Sequence, residues 1–108
     1  TITINNKNIT KIPDNIDQQL TGLETLNVNN NNLEAIPSSI GNINTLVVLT
    51  LANNQLSTVP SELGQLTGLG LLSLTNNPIS SIPAEVCDLQ TSNGGILTIL
   101  SDPGEGCN

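Results

Sequence analysis

The stretch Leu46-Val47-Val48-Leu49-Thr50-Leu51-Ala52-Asn53-Asn54-Gln55-Leu56 carries two spacings in eleven residues. Leu49 and Leu51 alternate with Val48 and Thr50, the period of two that puts both leucines on one face of a short strand. Two asparagines end the alternation, and Leu56 then reopens an apolar pattern continued by Val59, Leu63 and Leu66. The same order recurs on both sides. Segments 23–45 (LETLNVNNNNLEAIPSSIGNINT), 46–68 (LVVLTLANNQLSTVPSELGQLTG) and 69–91 (LGLLSLTNNPISSIPAEVCDLQT) align without a gap, their starts Leu23, Leu46 and Leu69 being 23 residues apart. Asn31, Asn54 and Asn77 fall in register, as do Pro37, Pro60 and Pro83. A partial first unit over 1–22 supplies Ile2, Ile4, Ile9 and Ile12, with a step of 24 from Ile9 to Leu33, and a degenerate segment over 92–108 closes the chain. A fixed period of this length signals stacked units, none of which can bury its apolar face alone.

One domain spanning 1–108 is therefore expected, with a core of unusual composition. Hydrophobic residues are 36% of the chain, yet Phe, Trp, Tyr and Met are absent. The core must be many similar aliphatic contacts instead of a few large anchors. The two cations, Lys7 and Lys11, precede all nine acids, and the net charge is −7. Such a balance argues against a phosphate backbone or an anionic lipid surface as partner. No apolar run is long enough to insert across a membrane. The chain starts on a strand-like TITI without Met, which fits a piece of a larger chain or one whose leader has been removed.

The pattern LxxLxLxxNxL followed by xxIPxxIGxL resembles the leucine-rich repeat family over nearly the whole chain. Residues 46–56 carry the first half in full. The Ile-Pro-x-x-Ile-Gly-x-Leu ending of the 23-residue unit resembles both the plant type and the shorter Ras-regulator type. Ser57-Thr58-Val59-Pro60 departs from the plant pattern, which has a Gly before the Ile-Pro. The resemblance implies an α/β solenoid: right-handed, with about five short parallel strands and an irregular or short helical outer limb. Pro60 and its counterparts suit that limb, because a residue without an N–H cannot serve a ladder.

The asparagines sort into two groups under this reading. Asn31, Asn54 and Asn77 stand where the chain turns inward after the strand. A carboxamide there can donate to and accept from backbone groups that the turn leaves unpaired, including those of the next repeat. They form an expected structural ladder, with Lys7 and Asp102 in the slot at the two ends. The others are expected on the surface, so that Asn53→Ala should be nearly neutral.

Outward strand positions make columns across the implied concave face. One is Thr1, Thr25, Val48, Leu71 and Ile96, the next Thr3, Asn27, Thr50, Ser73 and Thr98. A third is Asn5, Asn29, Ala52, Thr75 and Leu100, bordered by Asn6, Asn30, Asn53, Asn76 and Ser101. This face has no charge and no aromatic ring, and it grades from hydroxyl and amide to aliphatic along the chain.

Such a face supports a non-enzymatic binding module, recognising a protein partner or mediating cell adhesion. Self-association is a related expectation, through the TITI edge or the patch of Val48, Leu71, Ile96 and Leu100. The alternative is ice or neutral polysaccharide binding through the Thr, Asn and Ser rows. Catalysis has little support: His is absent, no glycine-rich phosphate loop precedes a helix, and two Cys without His make no zinc site. No cofactor is expected. Cys87 replaces Gly41 and Gly64 of the earlier units, and Cys107 lies near the C-terminus. A bridge between them resembles the disulfide-closed caps of extracellular leucine-rich repeat proteins, which implies a secreted or extracellular protein. Asn8-Ile9-Thr10 is a single, weak glycosylation sequon.

Overall fold

The computed structural model describes residues 2–3, 7–89 and 98–100. Strands β1 (Ile2–Thr3), β2 (Thr25–Asn27), β3 (Val48–Thr50), β4 (Leu71–Ser73) and β5 (Thr98–Leu100) form one parallel sheet in chain order. The register places Leu26 beside Leu49 and Leu49 beside Leu72, so the sheet repeats the sequence alignment position by position. The α/β solenoid expected from the repeats is the fold.

Alternation decides the two faces. Leu26, Leu49 and Leu72 point inward and are at most 2% exposed, while Thr25, Val48 and Leu71 beside them are half-buried on the other side. The turn after each strand adds Leu33, Leu56 and Ile79 to the same core, and the outer limb adds Ile40, Leu63 and Val86. Each such side chain contributes about 1.5–3 kcal/mol when fully buried. No aromatic anchor is required because every repeat delivers the same aliphatic set to its neighbours. The first unit is looser, with Ile2, Ile9 and Leu20 only partly buried against the core.

The outer limb is built of short helical turns: α1 (Ile16–Gln19), 3-10 turns at Ser38–Asn42 and Ser61–Gln65, and α2 (Ala84–Cys87). Pro37, Pro60 and Pro83 each stand just before one, in extended backbone, and each accepts from the N–H three residues on: Ile40, Leu63 and Val86. Proline has no N–H to leave unpaired at a helix start, which is why the limb tolerates it. Consecutive limbs pack main chain to main chain at Gly41 and Gly64. A Cβ on Gly64 would stand 2.7 Å from the carbonyl oxygen of Glu85, and one on Gly41 would collide with that of Glu62.

Cys87 occupies this position in the last full unit. The step to the next strand is also longer. Thr98 pairs with Leu71 and Leu100 with Ser73, a step of 27 residues in place of 23. The columns expected from sequence are corrected here: Thr98 does not continue the Ser73 row, nor Leu100 the Thr75 row. Both move by two positions in the register. Ile96, the expected neighbour of Leu71, lies outside the described residues.

Candidate functional site

Strand exits place two rows of asparagine side by side, and they differ in kind. The inner row is Asn31, Asn54 and Asn77, all buried. Asn54 Nδ2 donates to Leu51 O at 2.9 Å in its own turn and to Val28 O at 3.1 Å in the preceding repeat. Its Oδ1 accepts from Leu33 N–H at 3.1 Å. Asn77 repeats the pattern with Leu74 O, Leu51 O and Leu56 N–H. Asn31 does so with Val28 O and the N–H groups of Lys7 and Ile9. The ladder thus reaches backward to the preceding repeat, where the sequence reading pointed it forward. These carboxamides satisfy main-chain groups that the turn would otherwise leave unpaired.

The outer row, Asn30, Asn53 and Asn76, is exposed but is not free surface. Their φ angles are 61°, 61° and 59°, in the left-handed region where a side chain is ordinarily strained and asparagine is tolerated best after glycine. Asn53 Nδ2 donates to Asn30 Oδ1 at 2.7 Å, and Asn76 Nδ2 donates to Asn53 Oδ1 at 2.6 Å. The expectation that Asn53 is a neutral surface position is corrected by this conformation. The signal is present in the sequence, since an Asn-Asn pair recurs after β2, β3 and β4 where the chain must turn sharply. Asn29 is also engaged, accepting from Ala52 N–H at 2.8 Å across the repeat boundary.

Between these turns and the strand starts lies the open sheet face. Thr25, Asn27, Asn29, Val48, Thr50, Leu71 and Thr75 are half-buried on it, and Ser73 is 8% exposed. Asn27 Oδ1 accepts from Asn29 N–H at 3.1 Å, which holds the amide against its own strand. The Thr50 hydroxyl is buried with no hydrogen-bond partner among the described residues. Val48 and Leu71 are register partners, making a two-residue aliphatic step beside the hydroxyls. No charged side chain belongs to this set. Val48, Leu71 and Ala52 interrupt the polar rows and the Thr50 hydroxyl is covered, so the even array of exposed hydroxyls suited to ice contact is not formed.

The remaining predicted residues stand apart from the face. Cys87 is half-buried at the end of α2 and packs against the core, and Cys107 lies outside the described residues. Asn8 is exposed at φ 56°, with its oxygen 3.4 Å from Asn32 Nδ2, and Thr10 is exposed as well. Among the described residues no helix is long and apolar enough to cross a membrane.

A five-stranded parallel ladder, one strand per repeat, and an asparagine bridging the exits of β2, β3 and β4 define a repeat solenoid with an open sheet face. The leucine rich repeat family model matches residues 1–56. The chain belongs to the leucine-rich repeat family. It is similar in structure to a leucine-rich repeat protein of Leptospira interrogans, with a TM-score of 0.62 and 30% sequence identity over 91% of this chain. That match spans 30% of the length of the Leptospira protein. No functionally curated protein matches the sequence.

Proposed function

We propose that the chain is a non-enzymatic recognition module that binds a protein partner, in adhesion or a related extracellular role, through the open face of its sheet. The observation that carries this is the aliphatic step of Val48 and Leu71 set within uncharged polar rows. The acids lie elsewhere on the chain, so a partner meets the sheet without desolvating a charge. The family supports the same reading, since leucine-rich repeats serve widely as protein-binding modules. Secretion is supported by Cys87, which is not a free thiol. A Cys87–Cys107 bridge would close the chain's last unit in an oxidising compartment.

Affinity capture from native extract tests the assignment when the wild type is run beside Leu71→Lys. A protein retained by the wild type and lost by the variant is the expected result. Equal recovery of every retained protein by both would place binding somewhere other than the sheet face.

A further inference from the structure

Glu24, Val47 and Gly70 stand just before β2, β3 and β4, and main-chain bonds tie them in register at the rim of the sheet face. Val47 N–H donates to Glu24 O at 2.7 Å, and Gly70 N–H donates to Val47 O at 2.7 Å. The N–H groups of Val48 and Leu71 donate to the same two oxygens, at 3.0 and 3.1 Å. These main-chain groups are therefore met within the chain, and what is left to face a partner is side chain. Among the described residues, Val47 is the one large hydrophobic side chain left exposed, at 44%. Val48 and Leu71, the register partners that follow it on the sheet face, are half-buried.

Neither the backbone nor its neighbours require glycine at position 70. Its φ is not in the left-handed region, and a Cβ there would stand 3.7 Å from Val47 O and 3.8 Å from Val47 Cγ1, ordinary contact distances. Gly41 and Gly64 differ, since a Cβ on either would collide with the next limb. A side chain at position 70 would fit, and it would lie against Val47. Its absence leaves that flank of Val47 bare, a recess one side chain wide. On the other side of Val47 the row ends on the exposed Glu24. The ion pair among the described residues joins Lys11 to Asp14, so no described cation answers Glu24. With strands about 4.8 Å apart, Glu24 stands roughly 10 Å from the recess. Apolar surface with no polar main chain to strip of water suits an aliphatic contact. The carboxylate beside it suits a cation, and a chain of net charge −7 draws basic partners and repels acidic ones.

We infer that Val47 and Gly70, with Val48 and Leu71, form a recess for an aliphatic side chain on a basic segment of a protein partner, whose Lys or Arg pairs with Glu24. The recess rests on the sheet-face reading above and deepens it by giving the partner's chemistry. Gly70 supplies the space, Val47 the apolar wall, and Glu24 the charge that turns acidic segments away. Glu24 stays at the wet rim, so the pair forms without burying a carboxylate.

A random peptide library displayed on phage and panned on the intact 108-residue chain supplies the probe. Enriched peptides should carry Lys or Arg together with Leu, Ile or Val, and enrichment of acidic peptides instead would overturn the recess. A synthetic peptide from that pool should bind about tenfold or more weakly to Gly70→Val, whose new side chain fills the space. It should bind about fivefold more weakly to Glu24→Lys in low salt, and the difference should shrink as salt is added. The unliganded Gly70→Val chain should unfold at no lower urea concentration than the wild type, because the added Cβ meets no clash. Leu71→Lys should abolish binding. If Leu71→Lys blocks the peptide but either Gly70→Val or Glu24→Lys binds it as the wild type does, the recess is overturned and the face reading stands. If Leu71→Lys binds it normally, or panning yields no binder, both are overturned. Lower stability in Gly70→Val would show that the fold itself needs glycine there, and would also overturn the recess.

Discussion

Asn54 Oδ1 accepts the main-chain N–H of Leu33 at 3.1 Å, and through that bond one repeat holds the turn of the repeat before it. The same side chain donates to Leu51 O and to Val28 O, so a single carboxamide meets main-chain groups of two repeats. Asn54→Ala leaves those groups buried and unmet, and should destabilise the chain by roughly 2–3 kcal/mol. Urea unfolding measures it. A loss below about 0.5 kcal/mol would mean that water or a shifted main chain replaces the amide.

Asn53 is tested by a pair of substitutions, because its φ of 61° separates conformation from contact. Asn53→Gly loses the bonds to Asn30 and Asn76 but keeps the conformation at ease. Asn53→Ala loses the same bonds and adds left-handed strain of about 1–2 kcal/mol. Alanine should therefore be the less stable of the two by about that amount. Equal stabilities would remove the conformational role and return Asn53 to plain surface.

The contrast between Asn53 and Asn54 marks how far the sequence could be read. Strand identity, inward leucines and the buried ladder follow from period and register, which are properties of the residues themselves. Left-handed backbone at Asn53 depends on how sharply the turn must close to bring Leu56 under Leu51, which spacing alone does not state. The shift at β5 has a similar origin. Thr98 and Leu100 fit an alternating strand pattern in the sequence, but their register follows from a connection longer than that of the other repeats. On the sheet face, the sequence shows which residues point outward. It does not show that Thr50 loses its water or that Asn29 is already bonded to Ala52, since both follow from the distance between neighbouring strands.

Gly64 offers a test of the outer limb. Its absent Cβ is what lets Glu85 O approach, and a methyl at 2.7 Å from that oxygen forces the limbs apart. Gly64→Ala should cost about 1–3 kcal/mol, as other overpacking substitutions do. Gly68, where a Cβ would be 4.0 Å from its nearest described atom, is the control. Gly68→Ala should change stability far less. If the two cost the same, close limb packing does not explain the glycine at position 64.

Self-association of this 108-residue chain provides the last test, and two surfaces compete for it. Strand β1 lies at the edge of the described sheet, with a strand neighbour on one side only. Next to it, a hollow of about 250 Å³ is lined largely by Ile2, Ile9, Ile12, Ile16 and Leu20. A sheet edge beside partly buried aliphatics invites a second strand, which favours this edge over Val48 and Leu71. Lys7 and Lys11 share residues 1–22 with Asp14 and Asp17, so that unit is formally neutral, while the other seven acids lie beyond it. Two chains meeting at this edge thus keep their acidic parts apart. The residual repulsion is screened by salt, so association should strengthen as salt is added. Sedimentation equilibrium in low and high salt should show weak dimerisation that rises with ionic strength. Ile2→Lys should abolish it and Leu71→Lys should leave it unchanged, whereas the reverse pattern would move the contact to the sheet face. A monomer at high concentration in high salt would show that the edge does not pair with a second copy at all.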